Sequence, residues 1–224
     1  EQIEFMHNYS RNSGLISYEL PDIVNQIWFL LIIFLFYYYN LVRPRLFAFL
    51  LITAFLPFFV NGVFFPISYM PDQVWYYLRT YCLRNFTVDC PVAFGRVHYT
   101  SLFFAYFPIP FINSVTSISI INRLVYTVII ILSVHYKIIR GKMILFFLLF
   151  PGLILYSNIG LREMLILALM LVVAYCAVYK KFFFTIIFLI LLFLFKFQNA
   201  IILGMIVLSY LIFFSNYFGS ILLK

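Results

Sequence analysis

The stretch FFFTIIFLILLFLFKFQNAIILGMIVLSYLIFFS, residues 182–215, decides the fold class. Its 34 residues include one charged side chain, Lys196. A helix that crosses the ~30 Å hydrocarbon core of a bilayer needs about 20 residues, within a range of about 17–25. Backbone groups surrounded by lipid must find their hydrogen-bond partners within the segment, so such a run has to be helical. We therefore predict two transmembrane helices here, at 182–196 and 199–215.

The rest of the chain has the same character. Of its 224 residues, 66% are hydrophobic, 22% are aromatic and 10% are charged, whereas a soluble protein is about 45–50% apolar and about 25% charged. A soluble fold of this size has too little interior to hide so much apolar side chain. Soluble enzymes, DNA-binding domains and disordered chains are therefore excluded, and the unbroken apolar runs disfavour the alternating strands of a β-barrel.

Further apolar runs are predicted to be transmembrane helices, at 26–42, 46–64, 119–136, 143–158 and 161–179. We predict an all-α fold, a polytopic transmembrane helix bundle of about seven spans that forms a single integral membrane domain over 1–224. Residues 1–25 are polar and are predicted to be an outer amino-terminal segment. Residues 65–118 are predicted to be a long outer loop. Its apolar piece 103–111 contains Pro108 and Pro110 and is expected to be interfacial or re-entrant.

Basic residues mark one side of the predicted bundle. The net charge is +8, from 15 Lys and Arg against 7 Asp and Glu. Eight of the 15 fall on one side of the seven-span frame: Arg43, Arg45, Lys137, Arg140, Lys142, Lys180, Lys181 and Lys224. Short cytoplasmic loops are enriched in Lys and Arg, so we expect the amino terminus outside and the carboxyl terminus in the cytoplasm. The chain starts with Glu1 rather than methionine, which is typical of a fragment.

Three cations have unusual positions for a membrane protein. Arg123 lies just inside one predicted span, Arg162 opens another, and Lys196 closes a third, all at the outer interface. A charge inside the membrane costs at least ~2.5–3.5 kcal/mol on insertion scales, so one interpretation is a pocket for a lipid-linked phosphate or diphosphate. The alternative is that each side chain reaches for the headgroups. Snorkelling is favoured for Lys196, whereas polar neighbours favour the pocket for Arg123 and Arg162.

Glu163 and His98 are candidate acid–base groups. Glu163 follows Arg162 after the tight polar hairpin 156–160, where it can act as a general base or form a salt bridge with Arg162. A salt bridge is the commoner arrangement for such a pair. His98 can act as a proton shuttle.

Asp72 and its aromatic neighbours, Trp75 and Tyr76, are a second candidate group in the outer loop. Aromatic rings near a carboxylate suit a sugar site, and they equally suit the aromatic belt of a membrane interface. Cys82 and Cys90 lie in the same loop, where a disulfide is one possibility.

Motifs for cofactors are missing from the sequence. There is no Walker motif, no glycine-rich dinucleotide loop and no Ser-His-Asp pattern, and the three histidines and three cysteines have no metal-ligand spacing. We therefore expect no nucleotide cofactor and no metal. Since the basic residues follow the membrane loops, we also expect no nucleic-acid partner.

The sequence FPGLILYSNIGLRE at 150–163 resembles the proline-to-"LR-acid" segment of bacterial O-antigen and capsule repeat-unit polymerases, the Wzy/EpsG-like group. Shorter stretches are similar to that group in order and spacing: DQVWYY at 72–77, FINS at 111–114, INRL at 121–124 and KFQN at 196–199. The resemblance covers about residues 65–200 and implies a glycosyltransferase of the bacterial inner membrane.

Such polymerases transfer a growing glycan from undecaprenyl diphosphate to the non-reducing sugar of a new lipid-linked oligosaccharide. The resemblance also implies membrane lipids, a flippase and a chain-length regulator as partners. The diphosphate leaves during the reaction, so cations are needed where its charge develops. The cations at these positions are Arg123, Arg162, Arg96 and Lys196. The base that activates the acceptor hydroxyl would be Glu163, Asp72 or His98.

Two other functions stay open at this point. One is a different glycosyltransferase that uses a polyprenyl-phosphate sugar and also combines an outer-loop acid with a multi-span bundle. The other is a non-catalytic membrane subunit or a transporter, since a composition rich in Phe and Tyr can reflect an AT-rich genome. A transporter would more often show paired half-repeats, which the sequence lacks.

Overall fold

The computed structural model describes residues 19–61, 63–65, 69–86 and 96–213, apart from the side chains of residues 96 and 213. Within these residues the secondary structure is helical, with one isolated bridge between Asn61 and Phe65. The helices are α1 (Leu20–Tyr38), α2 (Pro44–Thr53), α3 (Leu56–Val60), α4 (Asp72–Asn85), α5 (Arg96–Tyr106), α6 (Val115–His135), α7 (Lys142–Leu149), α8 (Pro151–Ser157), α9 (Glu163–Val178) and α10 (Phe182–Phe213). The predicted all-α class is therefore confirmed for the described part of the chain.

Three helices, α1, α6 and α10, are long and apolar enough to cross a membrane. Two apolar stretches, Pro44–Val60 and Glu163–Val178, are shorter. Transmembrane helices are thus supported by length and composition, whereas the count of about seven spans stays a prediction. Large apolar side chains such as Phe183 and Met205 are exposed along α10, as a lipid-facing helix requires.

Proline divides two of the predicted spans. The run at 143–158 forms α7 and α8 rather than one helix, because Pro151 has no N–H and excludes Phe150 from the helical conformation. Phe150 has φ −65° and ψ 117°. The run at 46–64 is likewise divided, into α2 and α3, with Pro57 in the first turn of α3.

The stretch predicted to contain two spans, 182–196 and 199–215, forms two helical segments that meet at Lys196, within the bounds of α10. Lys196 has φ −155° and ψ 91°, an extended conformation that interrupts the helix. The predicted division is therefore found at one residue rather than over a longer turn, and that each segment crosses the membrane stays a prediction.

The predicted outer loop contains two helices, α4 and α5, which pack against each other. The Tyr76 and Phe104 rings meet edge to face across this contact, with centroids 6.4 Å apart. The segment expected to be interfacial or re-entrant, 103–111, begins as the last turn of α5. It leaves the helix before Pro108, as a proline requires of the residue that precedes it.

Side chains of α1 and α4 hold the non-helical link between α5 and α6. Asn25 binds the backbone of Phe111 twice, through Nδ2 to the carbonyl at 2.9 Å and through Oδ1 to the N–H at 3.0 Å. Trp28 Nε1 donates to the Pro108 carbonyl at 2.9 Å. From α4, the Tyr77 hydroxyl donates to the Asn113 carbonyl at 2.8 Å. These bonds fix where α6 begins.

Helix α6 is the centre of the first part of the chain. It starts with a capping box, in which Ser114 Oγ accepts the Ser117 N–H at 3.1 Å. It packs against α1, α3, α4, α7 and α8, and most of its residues are buried.

The chain divides into two compact units, Glu1–Met164 and Leu165–Lys224. The second unit holds most of α9 together with α10. There the Asn199 Nδ2 lies 3.6 Å from the Met170 Sδ, and the Lys181 ammonium lies 5.9 Å from the centre of the Tyr175 ring.

Candidate functional site

A buried carboxylate ties the start of α1 to the start of α6. Asp22 is fully buried, and its carboxylate accepts hydrogen bonds from Ser114 Oγ at 2.7 Å and from Ser117 Oγ at 2.5 Å. It also accepts the Glu19 N–H at 2.8 Å. The sequence placed Asp22 in a polar outer segment, whereas the structure makes it the acceptor that fixes α1 against the capping box of α6.

The hairpin between α8 and α9, residues 158–162, is pinned by buried amide side chains. Asn61 Nδ2 donates to the Asn158 carbonyl at 2.9 Å and to Ser119 Oγ at 2.7 Å. Asn122 Nδ2 donates to the Ile159 carbonyl at 2.7 Å and also to the Leu161 carbonyl. An apolar environment makes an unpaired carbonyl costly, so these amides stabilise one hairpin conformation.

Gln73 of α4 holds the tip of the same hairpin. Its Oε1 accepts the Gly160 N–H at 2.9 Å. A Cβ atom on Gly160 would lie 3.2 Å from the Gln73 Cβ and 3.5 Å from the Val115 Cγ1. The close approach of α4 to the hairpin therefore favours glycine at this position, because a larger residue would push α4 away.

Arg123 lies beneath the hairpin. It is 2% exposed, and its Nη1 donates to Ser157 Oγ at 2.9 Å. Its guanidinium carbon lies 5.4 Å from the centre of the Tyr126 ring, a cation–π distance. Its Nε is buried without a hydrogen-bond partner, and no carboxylate among the described residues contacts it. Arg123 is therefore placed to position Ser157 at the base of the hairpin.

Arg162 and Glu163, at the start of α9, lie near Tyr76 and Asp72 of α4. Burial raises the pKa of Tyr76 to about 12; the charge of Arg162 lowers this pKa, and the charges of Glu163 and Asp72 raise it. Arg162, Glu163 and Asp72 thus each lie within electrostatic range of the Tyr76 hydroxyl. Tyr76 is 4% exposed, Arg162 and Glu163 are half-buried, and Asp72 is exposed. The Tyr76 hydroxyl stays protonated at physiological pH and can donate a hydrogen bond.

Glu163 has an unused acceptor. Its Oε2 is buried and has no hydrogen-bond partner in the part of the chain that the structure describes. As the first residue of the helix α9, it benefits from the partial positive charge of the helix amino terminus. The turn predicted at 156–160 is found at 158–162, and the helix predicted to begin at residue 161 begins at Glu163. The carboxylate can therefore accept a proton, or a hydrogen bond from a hydroxyl group.

The other predicted site residues are Trp75, His98, Arg96 and Lys196. Trp75 is half-buried on α4. The His98 Nδ1 on α5 lies 3.2 Å from Nη2 of Arg79; a guanidinium only donates, so this nitrogen accepts. Arg96 is the first residue of α5, and its side chain lies outside the described residues. Lys196 belongs to the second unit, half-buried at the break in α10.

Cys82 is disulfide-bonded, and Cys176 is buried with a free thiol. The sequence analysis raised a disulfide between Cys82 and Cys90, and Cys90 lies outside the described residues. In the described ranges, no cluster of three or more His, Cys, Asp and Glu side chains could hold a metal ion.

The pinning amides Asn61 and Gln73 were not singled out from the sequence. The signal for Asn61 was an amide near the end of an otherwise apolar run, 46–64. Together these side chains fix the hairpin that precedes Arg162 and Glu163, and the charges of these two residues and of Asp72 act on the buried Tyr76 hydroxyl. Comparison with protein-family models, with curated proteins and with solved structures finds no match to this chain.

Proposed function

We propose that this protein is an oligosaccharide repeat-unit polymerase that acts on undecaprenyl-diphosphate-linked glycans at the outer face of the bacterial inner membrane. The observation that carries the proposal is the group formed by Arg162, Glu163, Asp72 and Tyr76. Such a reaction needs a cation for the departing diphosphate and a base for the acceptor hydroxyl. This group supplies both on neighbouring elements.

The proposed reaction is a displacement at the anomeric carbon of the growing glycan. The acceptor hydroxyl attacks this carbon while the bond to the diphosphate oxygen breaks, and the diphosphate leaves with the electron pair. Glu163, with an unused buried oxygen, takes the hydroxyl proton. Arg162 binds the diphosphate through its planar fork. Asp72 and Trp75 contact the sugar, and Arg123 acts indirectly by holding Ser157.

The proposed membrane orientation follows the basic junctions. Residues 65–118 and the hairpin 158–162 face outward, and the junctions at Arg43 and Lys142 face the cytoplasm. A disulfide at Cys82 fits an oxidising outer compartment. The proposal in its full form has about seven spans.

The test is a deletion of the gene in a strain that carries it, complemented with wild-type protein or with variants. Arg162→Ala should leave single repeat units on the lipid carrier and remove the ladder of longer surface glycans. Arg162→Lys should restore only part of the ladder, because an ammonium does not reproduce the two-pronged contact. Lys142→Ala, an exposed cation at the start of α7, is the matched control and should give a normal ladder.

Three other outcomes of this experiment would contradict the proposal. A normal ladder from well-expressed Arg162→Ala protein would remove Arg162 from the site. Loss of one sugar from every repeat, with chain length kept, would indicate a glycosyltransferase that uses a polyprenyl-phosphate sugar. A deletion that leaves surface glycans unchanged would indicate a transporter or a non-catalytic subunit.

A further inference from the structure

A cavity of about 830 Å³ lies at the predicted cytoplasmic side of the first unit. It is formed where two turns meet, the turn between α1 and α2 and the turn between α6 and α7. Both turns contain residues with positive φ, Asn40 at 56°, Lys137 at 59° and Gly141 at 54°, and all three line the cavity. It is therefore separate from the hairpin 158–162 and its site.

The charged lining of this cavity has one sign. Arg43 and Arg45 line it from the first turn and α2, and Lys137 and Arg140 line it from the second turn. Arg140 is held in place by a hydrogen bond from its Nε to the Lys137 carbonyl at 2.9 Å. No acidic side chain lines the cavity among residues 19–61, 63–65, 69–86 and 96–213.

Helix ends at the cavity do not cancel this charge. Helices α1 and α6 end beside it, and each carboxyl end carries about half a negative elementary charge. Helices α2 and α7 begin beside it at Pro44 and Lys142, and their amino ends carry about half a positive charge each. The dipoles therefore offset one another, and the four cations are left to attract an anion.

The remaining wall is apolar. Leu46 and Phe49 of α2 face the cavity together with Leu145 and Leu148 of α7. A free inorganic anion would make no favourable contact with these apolar side chains. An amphiphile can contact both the four cations and the apolar wall. We infer that this cavity binds an anionic phospholipid of the inner leaflet, with the phosphate headgroup among the four cations and the acyl chains along α2 and α7. The inference does not depend on the polymerase proposal.

The test measures lipid binding to the full-length protein purified in a non-ionic detergent. Native mass spectrometry counts bound phosphatidylglycerol and phosphatidylcholine across a concentration series. The wild-type protein should bind phosphatidylglycerol about tenfold more tightly than phosphatidylcholine. The double substitution Arg43→Gln with Arg45→Gln should remove most of this preference. Lys180→Gln with Lys181→Gln is the matched control, since it also removes two neighbouring cations from the predicted cytoplasmic side, and should keep the preference.

Several results would overturn the inference. One is equal binding of the two lipids to the wild type. A second is an equal loss in both double variants, which would indicate a general surface charge rather than a site. A third is displacement of phosphatidylglycerol by millimolar inorganic phosphate, which would indicate a free-anion site. If the first double variant does not stay monodisperse, Arg45→Gln alone should still weaken phosphatidylglycerol binding, by several-fold, and unchanged binding would count against the inference.

Discussion

Arg123 and Arg162 are two arginines beside one hairpin, but their surroundings differ. Arg123 is 2% exposed and donates to Ser157 Oγ, whereas Arg162 is half-buried and its charge acts on Tyr76. The sequence suggested both as diphosphate ligands, because a position near a span edge does not tell whether a side chain turns toward the interface or into the bundle. At the residue scale, direct and indirect roles can be separated by substitution.

Arg123→Met should raise the free energy of unfolding by about 1 kcal/mol. The midpoint of thermal unfolding in detergent should therefore not fall. The reason is that the substitution removes a buried charge whose desolvation is poorly compensated and keeps an apolar side chain of similar length. The same variant should shorten the surface-glycan ladder, since Ser157 loses its contact with the guanidinium. A large drop in the midpoint would show that Arg123 is mainly structural.

Asp72→Asn keeps the size of the side chain and removes its charge. If Asp72 contacts the sugar, glycan chains should become shorter while an immunoblot shows a normal amount of protein. Tyr106→Phe, at an exposed position at the end of α5, serves as the control with unchanged chains. Normal chain length in Asp72→Asn would remove this residue from the site.

At the scale of elements, helices and their ends were predictable where one local signal decides them. The polar hairpin before Glu163 and the all-helical class follow from local sequence. The division at Pro151 was not predicted. The apolar run is long enough for one membrane-spanning helix, but the proline interrupts it. Helices α4 and α5 were missed because their stretch is too polar to indicate a span. They bury residues against each other, as Tyr76 of α4 and Phe104 of α5 do, and α4 also packs against α6.

Gly160→Ala tests the approach of α4 to the hairpin. The new Cβ would meet the Gln73 Cβ at 3.2 Å, an atom next to the backbone that cannot move freely. We expect a loss of about 1–3 kcal/mol in unfolding free energy, measured as a lower thermal midpoint. Gly204→Ala in α10 is the control, because its Cβ would meet nothing within 4 Å. Alanine is favoured over glycine in a helix, so this variant should gain about 0.5–1 kcal/mol in unfolding free energy. Equal shifts in the two variants would contradict the close contact.

At the scale of the whole molecule, composition predicts that the protein faces lipid, but it does not predict the polar contacts inside the protein. A chain that faces lipid must be apolar nearly everywhere, so percentages alone indicate a membrane protein. The polar contacts inside the first unit join residues far apart, as Asp22 joins Ser114 and Ser117. The sequence placed Asp22 outside because an isolated carboxylate is usually solvated. Only the packing of α1 against α6 reveals its partners.

Membrane orientation is testable on intact cells with a membrane-impermeant thiol reagent. Cysteines at Pro44 and Gly141, introduced in a Cys176→Ser background, should be protected, because these basic junctions are predicted to face the cytoplasm. Tyr106→Cys, exposed on α5, should be labelled and so reports on access. Labelling at positions 44 and 141 before cell lysis would reverse the orientation.

The break at Lys196 has a consequence for the number of membrane crossings. Residues 182–195 and 197–213 are two helical segments joined at one extended residue, and neither segment has to continue in the direction of the other. In the seven-span frame the chain reverses at Lys196 and returns residue 213 to the side that holds Lys180 and Lys181, the predicted cytoplasm. A fluorescent protein fused after residue 213 should then be bright, and an alkaline phosphatase fused there should be inactive. The opposite pair of signals would mean that the two segments make one crossing.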